Sequence, residues 1–201
     1  MIKIITTLFF ILCYQFTTAQ EQPQQHSISK NITGIQAGFF GVDLYNEFKL
    51  FNIISLRTDF SLYSGIGYEG STLDEGESPF YFFDPNRVVF TPIINLQPKV
   101  YYNLTRRVRK GKNIDSNGAN YFSLNFKYVP NWFVITKSNA QPITQFYVVP
   151  TFGIRRNFAK KFNYEFKAGL GGGTAFHKNK TVSTAFLELS FKLGYDFYKK
   201  Q

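Results

Sequence analysis

The residues able to do chemistry in this sequence are its charged side chains, and they recur at a fixed spacing. Arg57, Asp59, Lys99, Lys127, Arg155, Glu165, Lys167, Glu188, Lys192 and Asp196 all fall on one side of segments whose alternate residues are apolar. Two chemistries use such a set. Along a water-filled passage, fixed charges of both signs form a solute path. Packed against one another, they are salt bridges filling a lumen too narrow to conduct. Both signs are present and long side chains dominate, which favours the filled lumen.

Nucleophilic catalysis has little to draw on. A lipase or lipid A deacylase needs a nucleophile and a base held together. The histidines are two, His26 in a Gln-rich polar stretch and His177 beside Thr174, Thr181 and Ser183. Two distant histidines and the lone Cys13 do not make a three-ligand metal site. No Gly-rich loop follows a strand and opens a helix, so nucleotide binding has no support. The expectation is no catalytic residue, no metal and no cofactor.

The elements that must position the charges are strands. From Ala185 to Phe197 the alternation is unbroken, with Leu187, Leu189, Phe191, Leu193, Tyr195 and Phe197 against Glu188, Ser190, Lys192, Gly194 and Asp196. A 3.6-residue period would smear the charges around the apolar set. The same pattern predicts strands over 32–45, 52–68, 88–104, 121–135, 144–155 and 162–176. The apolar phase of 32–45 inverts in the middle, from Ile35, Ala37 and Phe39 to Phe40, Val42 and Leu44, which suggests a bulge near Phe39 and Phe40. Residues 46–49 then read as a tight connection. Glycines 169, 171 and 173 share the charged face, where they leave room for a neighbour's long side chain.

Lys3, the apolar run 4–16 and the small residues Thr17 and Ala19 predict a signal peptide over 1–19, with a flexible lead-in over 20–31 and one β-barrel domain over 32–201. Removing that leader leaves no cysteine, so disulfides are not expected. The net charge is +10 and aromatics are 19% of the chain. For an exported chain the anion met first is a lipid headgroup or lipopolysaccharide phosphate, not nucleic acid. Aromatics cluster near strand ends, and several strands are long, as tilted membrane crossings are. The fold class expected is therefore all-β, an antiparallel up-and-down transmembrane barrel of eight strands in the cell outer membrane.

The segments 91–104 (TPIINLQPKVYYNL), 130–135 (PNWFVI) and 150–157 (PTFGIRRN) carry a family likeness. With them the chain resembles the small outer-membrane β-barrel proteins of Bacteroidetes, close in plan to eight-stranded barrels of the OmpA type. The resemblance implies a membrane barrel and supplies no catalytic residues. Two features strain this plan. Pro92, Pro98, Pro130 and Pro150 fall inside strands and must mark bulges or strand ends. Only seven strands are counted, so an eighth must lie before Ile32 or in 78–83.

Two connections have composition worth noting. Residues 70–87 hold Asp74, Glu75 and Glu77 and the aromatic run containing Phe80 and Phe82, a candidate loop for a protein partner. Residues 105–120 hold Arg106, Arg107, Arg109, Lys110 and Lys112, and strand order puts them on the periplasmic side with the carboxyl terminus. The function expected is a non-enzymatic barrel with a structural or surface-interaction role. Its rivals are a narrow porin-like channel, an outer-membrane lipid-modifying enzyme and a secreted ligand-binding barrel.

Overall fold

In a computed structural model, residues 26–66, 88–136, 143–176 and 181–200 are described. They form nine strands: β1 (Asn31–Gly38), β2 (Gly41–Lys49), β3 (Ile54–Ile66), β4 (Val88–Tyr101), β5 (Asn120–Val129), β6 (Ile135–Thr136), β7 (Thr144–Asn157), β8 (Phe162–Phe176) and β9 (Thr181–Lys200). Every pairing is antiparallel, and β1 pairs with β9, so the sheet closes on itself. Two-residue β6 continues the line of β5 along β4, which makes an eight-stranded barrel. No helix of the described residues is long and apolar enough to cross a membrane, a fact silent on strands.

The eighth strand is β2, hidden in the segment expected to be one bulged strand. Gly38 pairs with Gly41, so Phe39 and Phe40 are a two-residue hairpin turn, and the inverted phase is the chain reversing. Gly41 has φ +136, and a Cβ there would stand 2.2 Å from the Leu62 carbonyl oxygen. Only glycine fits that position. Residues 46–49 are accordingly part of β2, not a connection; the turn comes at 50–53, where Leu50 and Phe51 N–H groups both donate to the Ile54 carbonyl. The one shift between β1 and β9 lies at Thr33/Gly34 instead. Segment 78–83, the other candidate for the eighth strand, lies outside the described residues.

The prolines sit where the ladder is broken. Pairing of β4 with β5 passes from Leu96↔Phe126 to Lys99↔Ser123, skipping Pro98. Pairing of β7 with β8 passes from Val148↔Gly172 to Thr151↔Gly169, skipping Pro150. The register is the same on both sides of each gap, so these are missing donors, not bulges. Pro130 ends β5, and Pro92 faces the break between β5 and β6.

The two ends of the barrel differ. Both termini, the turns at 50–53 and 158–161 and the long connection 102–119 share one end. That connection holds a short helix α1 (Leu104–Arg109) and a 3-10 turn (Asp115–Asn117) in which Ser116 and Asn117 adopt positive φ. Ile28, Tyr101, Leu104, Ala119 and Tyr121 pack together as a floor, with Ile114 against them. Residues 26–31, expected to be the end of a flexible lead-in, are tied down: Ile28 is buried, its N–H donates to the Asn52 carbonyl, and Asn31 opens β1. The buried Ile93, Val129, Tyr147 and Val149 pack toward the other end.

Side chains fit the narrow interior because large ones lie over glycines directly across the ladder. Tyr45 faces Gly34, Tyr121 faces Gly153 and Tyr147 faces Gly173. A Cβ on Gly153 would fall 2.0 Å from the Tyr121 ring. Gly153→Ala should therefore lower unfolding stability by about 1–3 kcal/mol through overpacking. Urea titration of the refolded barrel reads this as a lower midpoint, and adding Tyr121→Leu should recover part of the loss; equal midpoints for wild type and Gly153→Ala would refute the steric account.

Candidate functional site

The site is the barrel interior. Period 2 turns alternate residues inward, and in a closed sheet of eight strands those residues meet across a space that side chains fill. All ten charged residues singled out in the sequence are buried: Arg57, Asp59, Lys99, Lys127, Arg155, Glu165, Lys167, Glu188, Lys192 and Asp196. Asp43 and Glu47 from β2 join them. Among the described residues six buried cations thus face six buried carboxylates, and the charged set is formally neutral.

Glu165 is the central acceptor. Arg57 Nη1 donates to its Oε2 at 2.9 Å, Lys99 Nζ to its Oε1 at 3.0 Å, and the Tyr121 hydroxyl also donates to Oε1. Arg57 spends its other donors on Asp59 at 2.6 Å and Gln36 Oε1 at 2.7 Å, with its guanidinium 4.0 Å from the Tyr45 ring centre. Asn95 Nδ2 holds the second oxygen of Asp59 at 2.9 Å. Strands β3 and β8 are opposite each other in the barrel, so the Arg57–Glu165 pair spans the lumen. Arg155 on β7 likewise reaches Tyr45 on β2 across the full width, donating to its hydroxyl at 2.7 Å and to Asp196 at 2.8 Å. The Tyr45 hydroxyl donates to the same Asp196 carboxylate.

Toward the termini, Glu47 ties the network to the floor. It accepts from Ser55 Oγ at 2.8 Å, Tyr101 at 2.6 Å, Lys99 at 3.2 Å and Asn117 Nδ2 at 2.6 Å. Asn117 in turn accepts the Ser29 N–H at 2.8 Å, which fastens the amino-terminal segment over the barrel end. Toward the other end the pairs are separate: Lys192 with Asp43, Lys127 with Glu188, and Lys167 with Gln97 Oε1 at 3.4 Å. Lys167 stands 4.0 Å from Glu165 as well. The unmatched oxygens of Asn95, Asn125 and Ser190 also lie in this half.

This arrangement can hold a fixed shape; it does not assemble a nucleophile with a base. His26 lies near the termini and His177 lies outside the described residues. Among the described residues no group of three or more His, Cys, Asp or Glu is placed to hold a metal ion. The candidate loop residues Asp74, Glu75, Glu77, Phe80 and Phe82 also lie outside the described residues. Sequence reasoning missed Asp43 and Tyr45, which lie in the expected strand 32–45 on the face opposite Val42 and Leu44, and Glu47, which lies in the expected connection 46–49. Their alternation with Val42, Leu44 and Phe48 was the available signal. The glycines at 169, 171 and 173 face inward as expected, but none makes room for a charged side chain: a Cβ would meet the Pro150 carbonyl and Thr151 at 169, the Val148 carbonyl at 171 and the Tyr147 ring at 173.

No protein-family model matches this chain, and no curated protein or solved structure matches it.

Because Glu165 answers Arg57 and Lys99 together, its loss leaves two buried cations short of a partner. Glu165→Gln should cost about 3–5 kcal/mol, the range for breaking a buried ion pair from one side. Glu165→Gln combined with Lys99→Met should recover part of that loss, since it restores neutrality. A single variant as stable as wild type by denaturant titration would mean that the network is hydrated and weakly coupled.

Proposed function

We propose that the chain is a non-enzymatic transmembrane β-barrel of the outer membrane, with a structural or surface-interaction role carried by the loops opposite the termini. One observation carries the reading: the barrel is inside-out relative to a soluble protein. Twelve charged side chains are buried inside, and its outward wall is an apolar belt. Leu44, Phe60, Leu96, Phe122, Phe146, Leu170, Leu187, Leu189 and Phe191 are all exposed, Leu187 at 71%. A soluble barrel does not leave a continuous apolar surface around its circumference in water. A bilayer makes that surface favourable, and closure leaves no edge with unpaired backbone groups in lipid. Strands β4, β7, β8 and β9 have 14, 14, 15 and 20 residues, enough for a tilted crossing.

The leader predicted over 1–19 agrees with export to such a membrane. A closed interior supports a structural role over a channel. Arg57–Glu165 and Arg155–Tyr45 cross the lumen at full width, and Ile28, Leu104 and Asn117 cover the end bearing the termini. With lipid on one face and a packed lumen on the other, the strands are committed, and the connections are what can meet a partner. Segment 70–87 is as long as the connection 102–119 and has acidic and aromatic residues of the kind protein contacts use.

Fractionation tests the reading. The protein should stay with the outer membrane through alkaline wash and show heat-modifiable gel mobility; recovery as a soluble periplasmic protein would refute it. Leu189 is exposed and its neighbour Ser190 is buried. Leu189→Arg should cost about 2–4 kcal/mol of insertion free energy if position 189 lies near the bilayer midplane, seen as loss of the heat-modifiable form.

Conductance tests the closed lumen separately. Reconstituted wild-type protein should give little or no steady current in a planar bilayer. Large, stable, ion-selective currents would favour the channel instead.

A further inference from the structure

On the outer wall, where the apolar belt meets the end bearing the termini, two arginines come together without an acid. Arg156 projects outward from the end of β7, directly across the ladder from Tyr164 on β8. Arg107 on α1 lies within electrostatic range of Arg156, and Tyr164 lies within range of both. Among the described residues neither has a carboxylate within salt-bridge distance, although Lys199 nearby on that end finds Asp115 at 3.8 Å. Like charges within range of each other raise the free energy of the fold unless something of opposite sign completes them.

The donors of this pair are aimed and only partly used. Arg107 Nη2 donates to the Asn113 carbonyl at 2.8 Å, while its Nε is buried with no hydrogen-bond partner. Arg156 donates through Nη1 to its neighbour's carbonyl at 2.6 Å and through Nη2 to Asn120 Oδ1. Asn120 Nδ2 donates to the Tyr102 hydroxyl at 3.1 Å. Burial draws the Arg107 guanidinium below its ordinary pKa, a direction that a bound anion would reverse.

Away from this cluster the wall is aromatic. The Tyr102 ring stacks on Phe122 at 5.2 Å between centres, Phe122 lies 5.6 Å from Phe152, and Tyr164 stacks on Phe158 at 6.4 Å. A ligand that satisfies both parts has a phosphate at one end and long hydrocarbon at the other.

We propose that Arg107 and Arg156, with Asn120 and the Tyr102 and Tyr164 hydroxyls, clamp the phosphate of an anionic phospholipid in the leaflet at the termini end, its acyl chains lying over Phe122 and Phe152. The proposal rests on the membrane reading above. Guanidinium forks suit phosphate oxygens, and arginines beside interfacial aromatics sit at headgroup depth. A zwitterionic choline lipid offers the same phosphate together with a cation that the arginine pair repels.

The test is lipid retention by native mass spectrometry after release from vesicles of equimolar phosphatidylglycerol and phosphatidylcholine. Wild-type protein should keep phosphatidylglycerol in preference to phosphatidylcholine. Arg107→Gln with Arg156→Gln should reduce that preference by on the order of tenfold. Lys160→Gln with Lys161→Gln removes as much charge from the same end and should leave it intact. All variants must show the heat-modifiable form, which separates loss of the site from loss of the barrel. Equal retention of both lipids by wild type overturns the proposal, and so does an equal loss in the lysine control, which would mean diffuse charge and no site. Displacement of the lipid by inorganic phosphate at matched concentration would assign the pair to free phosphate and overturn the lipid assignment. Protein that enters no vesicle of either lipid overturns the membrane reading, and this one with it.

Discussion

Burying twelve charged side chains in one narrow space is possible only if they cancel, and that constraint governs the rest of the structure. An isolated charge removed from water costs many kcal/mol, whereas a paired and hydrogen-bonded one can break even. Glu165 meets the condition most completely, through Arg57, Lys99 and Tyr121. Its partners are shared in turn: Lys99 reaches Glu47, and Arg57 reaches Asp59 and Gln36. Each strand therefore has a fixed register relative to strands it does not touch, because a one-residue slip would turn its charges out and its apolar residues in.

Geometry imposes the second condition. Eight strands leave little width, and the tyrosines that donate into the network take up much of it. The solution is local: Tyr45 lies over Gly34 and Tyr121 over Gly153, each opposite its glycine in the ladder. The hydroxyls then arrive where the carboxylates need them, Tyr45 at Asp196 and Tyr121 at Glu165. The wall concedes something too, since Pro98 and Pro150 interrupt their ladders without moving the register. A gap in one ladder is tolerable when the charged lumen already fixes the alignment of both strands around it.

Much of this was legible in the sequence, for a physical reason. Period 2 with charge on one face and aromatics on the other has few solutions, so the barrel and its ten inward charges could be read from 52 onward. The failure came at 32–49, where a bulge and a two-residue turn give the same inversion of phase. Composition held the answer. The ten expected residues are six cations against four carboxylates, a surplus of two that a sealed interior could not keep. Asp43 and Glu47, lying two and six residues beyond Gly41, supply the missing pair once 41–49 is read as a strand. The shared neighbourhood of Arg107 and Arg156 was not legible, since the two lie far apart in the sequence and only the closed fold brings Tyr164 within range of both.

Neutrality inside has a consequence outside. If the six buried cations and six buried carboxylates cancel, the chain's +10 must reside at its ends. The sequence divides it unequally: five of the thirteen acidic residues lie in 69–84, while α1 and the residues after it, the turn at 158–161 and the last residues of β9 are basic. Among the described residues the barrel thus has a neutral filled middle and a cationic rim around the end that its own floor closes. On the membrane reading, a rim of that sign favours a leaflet of anionic headgroups, and it opposes turning the barrel over in the bilayer. Orientation and headgroup preference then have one physical origin, which is that the interior has no net charge to spare.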